Sequence, residues 1–389
     1  MTAKGTFLIG LAIFVGIFGA LQADRLVDHK SVQPPTELML PAASDTVIPA
    51  GLDTESDGNL DFRVAAKKVI PSVVSVDRYE QVNYFFGPPT NQLAQTATGS
   101  GVIVTKDGTV VTNNHVVADE NGNPVQEVKV RLNDKRSFKA RVIGTDPRAD
   151  IAVLKITGDD FTPIEMGSSD QLQIGQWVMA VGNPLGFDDT VSVGVVSSLK
   201  RDLPLQNGGI VNAIQTDAAI NPGNSGGALT DQHGRLVGIN AAIASSTGAS
   251  VGIGFAIPID RVQQVVNDII KYGHARYGSL GVSFQRRLDG LLGDPEIRQQ
   301  MADQTGAPVG SVPTAGVIIN GVGGPSEQAG MKALDVVLAV DGAPIDSDFS
   351  FNRALITKKP GDKVQVKWWS KGNIKTSEIT LQEEGGAID

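Results

Sequence analysis

The sequence predicts a mainly β protein with two β-rich domains behind an apolar N-terminal segment, and three observations predict it. From about residue 73, short apolar runs recur at close intervals, broken by glycine, asparagine and aspartate turns, with no helical periodicity between them. One strongly amphipathic stretch, "IDRVQQVVNDIIKYG", then closes the series ahead of a joint near residues 273–278. Beyond the joint the alternation of short strands and glycine turns resumes. Antiparallel barrels or a sandwich satisfy this pattern. A parallel α/β sheet, which needs a helix between successive strands, does not.

Residues 5–23, "GTFLIGLAIFVGIFGALQA", carry no charge and follow Lys4. Their length approaches the roughly 20 residues that span a bilayer as a helix. The expectation is a signal anchor over residues 1–30, a single-pass transmembrane helix. A cleaved signal ending near Ala23 is the alternative, and either places the rest of the chain outside the cytoplasm. Residues 31–61 mix proline, serine and acidic residues without periodicity and read as a flexible tether. "FRVAAKKVI" predicts a short helix before Pro71.

The first domain, residues 62–273, contains the runs "SVVSV", "GVIVT", "TVVTNN", "EVKVRL", "KARVIG", "IAVLKI", "WVMAVG", "VSVGVVSSL", "RLVGINAAI" and "GIGFAI". Asp107-Gly108 and His233-Gly234 mark hairpins between neighbouring runs. In the closing stretch Val262, Val265, Val266, Ile269 and Ile270 keep helical spacing, and Gly273 is a stop. The second domain, residues 278–384, ends in "KVQVKWWSKG" and "SEITLQ".

Composition narrows the function. The net charge of −9 over 389 residues leaves no electrostatic footprint for nucleic acid. The absence of cysteine removes disulfides, thiolate catalysis and cysteine zinc sites. With only four histidines, a catalytic imidazole must be His29, His115, His233 or His274. No cluster of histidine and carboxylates has metal-ligand spacing, so no metal and no cofactor is expected.

The chemistry gathers around "NPGNSGGAL". Glycine packs nothing and costs entropy in a strand, so this density around Ser225 means a backbone bent for a purpose. Gly223-Asn224-Ser225-Gly226-Gly227 matches G-x-S-x-G, which in an α/β-hydrolase precedes a helix and has its histidine downstream. Here strand, turn and strand follow, and the downstream histidines lie in a turn and in the joint. The other arrangement runs histidine, aspartate, serine. His115, at a strand end in "VVTNNHVV", and Asp150, opening "DIAVLKI", precede Ser225 in that order. An imidazole must take the proton of a weakly nucleophilic hydroxyl, and a carboxylate must hold one tautomer of that imidazole. The N–H groups of Gly223 and Ser225 would form an oxyanion hole. A serine in a glycine turn, a histidine at a strand end or an aspartate before a strand is by itself an ordinary structural residue. The order of all three in a β-rich context points to catalysis. Asp146 and Asp217 are the rival acids.

These residues resemble a known family. "TNNHVV", "DIAVLKI" and "TDAAINPGNSGGAL" are similar to the active-site blocks of the HtrA/Deg serine proteases, and "VGIGFAIP", "GSLGV" and "AGMKALDVVLAVDG" extend the likeness over roughly residues 62–384. The resemblance implies a chymotrypsin-like double β-barrel followed by one PDZ domain. It further implies ATP-independent cleavage of misfolded or regulatory envelope proteins, a homotrimer, and a periplasmic catalytic part tethered to the membrane. It implies that Ile220, Ala244 and Ile253 line an apolar specificity pocket and that Ala241, Ala242 and Ile243 pair with substrate as an added strand. "YGSLGVSF" resembles a PDZ carboxylate loop in which Leu280, Gly281 and Val282 would receive the C-terminus of a regulatory peptide. A binding protein on an inactive protease fold is the competing class, and no member of the triad is missing to favour it. Two departures stand out. Leu334 precedes Asp335 where the family usually has glycine, which raises the question of whether that turn keeps its shape. The loop "NPLGFDD" varies at Leu185 and Phe187.

Overall fold

In the computed structural model, residues 61–81, 93–183, 189–205, 208–241, 252–284 and 290–384 are described. The expected anchor, the tether up to residue 60, Ala242, Ile243, Ala244 and residues 184–188 lie outside them. Among the described residues no helix is long and apolar enough to cross a membrane.

The short N-terminal helix forms as expected (α1, Arg63–Val69) and Pro71 ends it in a single 3-10 turn. Six strands then close into an antiparallel barrel: β1 (Val73–Gln81), β2 (Leu93–Ile103), β3 (Thr109–Thr112), β4 (Glu127–Leu132), β5 (Ser137–Asp146) and β6 (Ile151–Lys155), in the order β1-β2-β3-β6-β5-β4. The β2–β3 turn spans Thr105 to Gly108, with Gly108 at φ +88°, so it is longer than a two-residue hairpin. In β4 burial alternates with the pleat, whereas β3 and β6 are almost wholly buried. Register explains the difference. Val110 and Leu154 pair and face the barrel interior, while Val111 and Val153 pair and face a second core behind it.

A second antiparallel barrel contains β8 (Trp177–Gly182), β9 (Thr190–Leu205), β10 (Gly208–Thr216), β11 (Ala228–Asp231), β12 (Arg235–Ala241) and β13 (Gly254–Pro258), closed by β11–β12 pairing. The two-residue β7 (Glu165–Met166) adds to it in parallel beside β12. The amphipathic stretch forms a helix (Ile259–Tyr272) ended by Gly273 at φ +83°. Its buried Val262, Val265, Val266 and Ile269 join Val111, Val153, Met179 and Ile239 in the core between the barrels. This helix locks the two barrels together.

The second domain is β-rich but not purely β. Val282–Phe284 (β15), Val317–Val322 (β16), Val336–Val340 (β17), Lys363–Ser370 (β19) and Asn373–Thr380 (β20) form one sheet. Ala343–Pro344 (β18) pairs with β17, and Gly278–Ser279 (β14) pairs with Gln382–Glu383 (β21). Two helices that periodicity did not single out cover the sheet. One, Pro295–Thr305, starts from an Asp294 cap and ends at Gly306. The other, Asp348–Leu355, starts from a Ser347/Ser350 capping box. Adjacent Trp368 and Trp369 point to opposite faces, one into the core under the Asp348–Leu355 helix and the other into the core with Met301. Leu334 adopts φ +70°. The turn before Asp335 therefore keeps the left-handed backbone that glycine would take, and leucine bears the strain.

Candidate active site

His115 does not end a strand. It lies on a one-turn helix, Asn114–Val117, just after β3. The β3–β6 register, Thr112 opposite Ala152, carries it to the start of β6, where Asp150 sits at φ +54°. Aspartate tolerates that conformation better than most residues. Asp150 is held by its own carbonyl, which accepts from Asn113 Nδ2 at 2.9 Å and from the Asn114 N–H at 3.1 Å. Its carboxylate accepts the His115 N–H at 3.0 Å and meets Nδ1 at 2.8 Å through Oδ2. With Nδ1 as the donor to this carboxylate, Nε2 is left as the acceptor. Burial disfavours a charged imidazole here. The hydrogen bond and negative charge of Asp150 outweigh it, and the His115 pKa lies above the ordinary histidine value of 6.5.

The Ser225 turn comes from the other barrel and packs backbone to backbone against this segment. A methyl on Gly226, at φ +82°, would lie 2.3 Å from Thr112 Oγ1 and 3.2 Å from the Asn113 nitrogen. A methyl on Gly99 would meet Val116 at 2.7 Å and the Ser225 carbonyl at 3.2 Å. Glycine is what allows the segment that carries Ser225 to pack against the Thr112–Val116 segment that carries His115. The turn itself runs Asn221 to Asn224, closed by Asn224 N–H to Asn221 O at 3.0 Å. Pro222 takes its second position and Gly223, at φ +102°, its third, the pattern of a type II turn.

The backbone donors of this stretch divide cleanly. Asn224, Gly226 and Gly227 give their N–H groups to Asn221, Asn240 and Asn224 carbonyls. The N–H groups of Gly223 and Ser225 have no acceptor among the described residues, although both residues are buried. Backbone donors in buried residues are nearly always paired, so two without an acceptor among the described residues, one on Ser225 and one two residues before it, have the disposition that an oxyanion would need.

One residue that sequence reasoning missed ties these parts together. Ser100, fully buried on β2, donates Oγ to the Gly223 carbonyl at 2.6 Å and accepts the Asn183 N–H at 2.8 Å on the same oxygen. Its own N–H donates to the Ser225 carbonyl at 2.8 Å, and its carbonyl accepts from Thr112 Oγ1 at 2.6 Å. The available signal was the pair of glycines around it in "TGSGV", since glycine inside a strand marks close approach of another chain segment.

The rival acids have other partners. Asp146 accepts from the Tyr277 hydroxyl and from the Arg148 N–H at 3.0 Å. Asp217 accepts the Val195 N–H at 2.7 Å and fastens β9. His233 sits in a β11–β12 turn closed by Gly234 N–H to Asp231 O, and His274 pairs with Glu383 at 3.0 Å. His29 lies outside the described residues. Among the described residues no group of three or more histidines and carboxylates could hold a metal ion.

Of the expected pocket residues, Ile220 is buried in a core with Ala218 and Val237, next to Gly254. A methyl on Gly254 would lie 3.0 Å from Ile220 Cγ1, and the neighbouring Ile253 is exposed. Ala241 ends β12, opposite Phe255. In the second domain Leu280 is buried and its carbonyl accepts the Ser326 N–H at 3.0 Å. Gly281, at φ +72°, packs so close that a methyl would lie 2.2 Å from the Gly323 oxygen. Val282 opens β15 beside a cavity of about 360 Å³ that Phe284, Phe351 and Leu355 also line.

Comparison with known proteins finds two domain families along the chain. Residues 99–239 match the trypsin-like peptidase domain and residues 278–381 the PDZ domain. A Pseudomonas fulva protein, described as "Probable periplasmic serine endoprotease DegP-like", is 39% identical over 285 residues, which is 73% of this chain and 55% of that protein. A Marinomonas protein of the same description is 38% identical over 83% of this chain and 71% of its own length. Several of the relatives are thus about twice the length of the matching segment. Among solved structures, the HtrA-type protease AlgW with a decapeptide superposes at a TM-score of 0.63 with 32% identity, over 84% of this chain and all of that one.

Proposed function

The chain belongs to the HtrA/Deg family of serine proteases, and on that premise we propose that it is an ATP-independent serine endopeptidase of misfolded or regulatory envelope proteins. The observation that carries the proposal is the pair of N–H groups at Gly223 and Ser225 that lack an acceptor among the described residues, together with an imidazole already bonded to Asp150. Ser225 Oγ attacks the scissile carbonyl carbon as His115 Nε2 takes its proton. The carbonyl oxygen becomes an oxyanion and accepts from the two N–H groups, while Asp150 stabilises the imidazolium. Collapse breaks the peptide bond, and the leaving amine takes the proton from His115. Water then releases the acyl group from Ser225 by the same steps. Ser100 holds the Gly223 carbonyl on the far side of the turn and so keeps its N–H aimed at the oxyanion.

Ile220, Ala244 and Ile253 give the pocket its apolar character, which favours an aliphatic side chain before the cut, and Ala241, Ala242 and Ile243 receive the substrate as a strand. The domain limits follow the sequence reading: anchor 1–30, tether 31–61, protease 62–273 and PDZ 278–384. The anchor holds the catalytic part on the periplasmic face of the membrane. The PDZ groove between β15 and the Asp348–Leu355 helix takes peptide C-termini at Leu280, Gly281 and Val282 and regulates cleavage. A homotrimer would cover the exposed Val64, Ile174 and Trp177 near the Phe62–Trp177 ring contact, 6.3 Å between centroids. The test is hydrolysis of unfolded casein against a short acyl ester. Cleavage of casein that vanishes in Ser225→Ala supports the proposal, and ester hydrolysis without proteolysis refutes it.

A further inference from the structure

We infer that Arg148, supplied by the protease domain, completes the carboxylate site of the PDZ groove, where Glu384 occupies it until a peptide arrives. The inference rests on the reading of that groove as a receptor for free C-termini. Arg148 and Glu384 both line the cavity beside Leu280 and Val282. The guanidinium lies 5.0 Å from the centre of the Tyr277 ring, directly before the carboxylate loop, and both its terminal nitrogens bond the Glu384 carboxylate. The Glu384 N–H in turn donates to the Tyr277 carbonyl at 3.0 Å.

Charge argues that the groove needs this residue. Among the described residues lining it, the ionisable side chains from the PDZ domain itself that carry charge at neutral pH are Asp348 and Glu384, both acidic. An anionic C-terminus entering such a groove meets repulsion unless a cation offsets it. Arg148 is the one basic side chain among the described lining residues. The loop alone is also partly spoken for, because the Gly281 N–H donates to Ser279 Oγ at 3.0 Å. A guanidinium fork suits a carboxylate with two parallel hydrogen bonds, and Glu384 now fills that geometry. Side-chain exposures of 36% for Arg148 and 42% for Glu384 mean that water reaches the pair and screens it. A peptide carboxylate covered by its own chain would hold the same fork out of water, and so displaces Glu384. Arg148 also lies between Asp146 and Asp150 in "DPRAD", so the segment that presents the acid of the triad registers the occupant directly.

The test measures binding to the full chain carrying Ser225→Ala, which prevents cleavage of the probe. The probes are a fluorescent decapeptide ending in valine with a free carboxylate and its amide, followed by anisotropy. Unsubstituted at Arg148, the chain should prefer the acid to the amide. Arg148→Met should weaken the acid about tenfold, the value of one partly exposed charge-assisted hydrogen bond, and leave the amide unchanged. Glu384→Gln, which removes the competitor, should tighten the acid several-fold. Equal binding of the acid by the Arg148→Met chain, or parallel losses for acid and amide, would overturn the role of Arg148 while the groove reading stands. Binding of neither peptide to the chain with Arg148 intact would overturn both.

Discussion

Replacing Ser100 by alanine tests whether the oxyanion turn is held from behind. The change removes one oxygen, which is fully buried and serves two partners, the Gly223 carbonyl at 2.6 Å and the Asn183 N–H at 2.8 Å. Each group left unsatisfied costs about 1–3 kcal/mol, so stability should fall by roughly 2–6 kcal/mol, against about 5–15 kcal/mol for an ordinary folded domain. The kinetic effect is separate. Without its tether the 223–224 peptide turns more freely about Gly223, the adjoining 222–223 peptide loses its fixed neighbour, and the Gly223 N–H spends less time aimed at the oxyanion. Complete loss of one such donor costs about 100- to 1,000-fold in turnover. A donor that is loosened rather than lost should cost roughly 10- to 100-fold in kcat, with KM changed by less than about twofold, because the donor acts mainly in the transition state. The assay is steady-state cleavage of a chromogenic peptide with an aliphatic residue before the cut, corrected for folded fraction by urea titration. Thr112→Val is the control. It removes the 2.6 Å bond to the Ser100 carbonyl and should lower stability by about 1–2 kcal/mol while leaving kcat nearly intact. If both variants lose activity in proportion to stability alone, Ser100 only supports the fold and the tether argument fails.

Ser225→Ala should lower peptide hydrolysis by about a millionfold, as in comparable triads, with the fold and thermal midpoint preserved; residual cleavage of casein at a substantial rate would discredit the nucleophile. Asp150→Asn should cut turnover roughly ten-thousandfold, since asparagine keeps the left-handed backbone but holds the wrong imidazole tautomer. Asp146→Asn, aimed at Tyr277 instead, should leave kcat of the folded protein within a few-fold, and equal losses from the two would show the acid misplaced. Activity should rise with pH on a limb above 6.5, because only neutral His115 accepts a proton and Asp150 raises its pKa; a limb below 6.5 in a pH–rate profile would contradict that. The sign for folding is the reverse: the His115–Asp150 contribution is complete below the unfolded histidine pKa and fades as pH climbs through the raised folded one. Leu334→Gly should raise stability by up to about 1 kcal/mol, since relief of a left-handed leucine slightly exceeds the entropy of the added glycine. A lower urea midpoint for that variant would mean that packing by the Leu334 side chain outweighs its strain.

Several features were legible in the sequence because their causes are local. The order His115, Asp150, Ser225 and the glycines of 223–227 are statements about chemistry and backbone freedom at single positions. The closing helix, with Val262, Val265, Val266 and Ile269 buried as spaced, follows from periodicity within one segment. The turn at Leu334 shows the limit of that locality, for the backbone kept φ +70° although the residue that suits it is absent. The PDZ helices were missed although Asp294, Gly306 and Ser347 cap them, because their apolar faces are narrow.

What only the tertiary structure decided depends on partners far away in the chain. Asp146 and Asp150 stand four residues apart in one turn, and nothing in "DPRAD" says that the first meets Tyr277 and the second His115. Ser100 reads as one more small residue in a strand until Gly223 and Ser225 arrive on its far side. Val110 and Val111 look interchangeable, yet the pleat sends one into the first barrel and the other toward the closing helix. Arg148 belongs by sequence to the protease domain and by position to the groove of the PDZ domain. Composition and spacing record what a residue can do. Which group it does it to is set by the contacts of folded strands and helices, and side-chain periodicity carries no record of those partners.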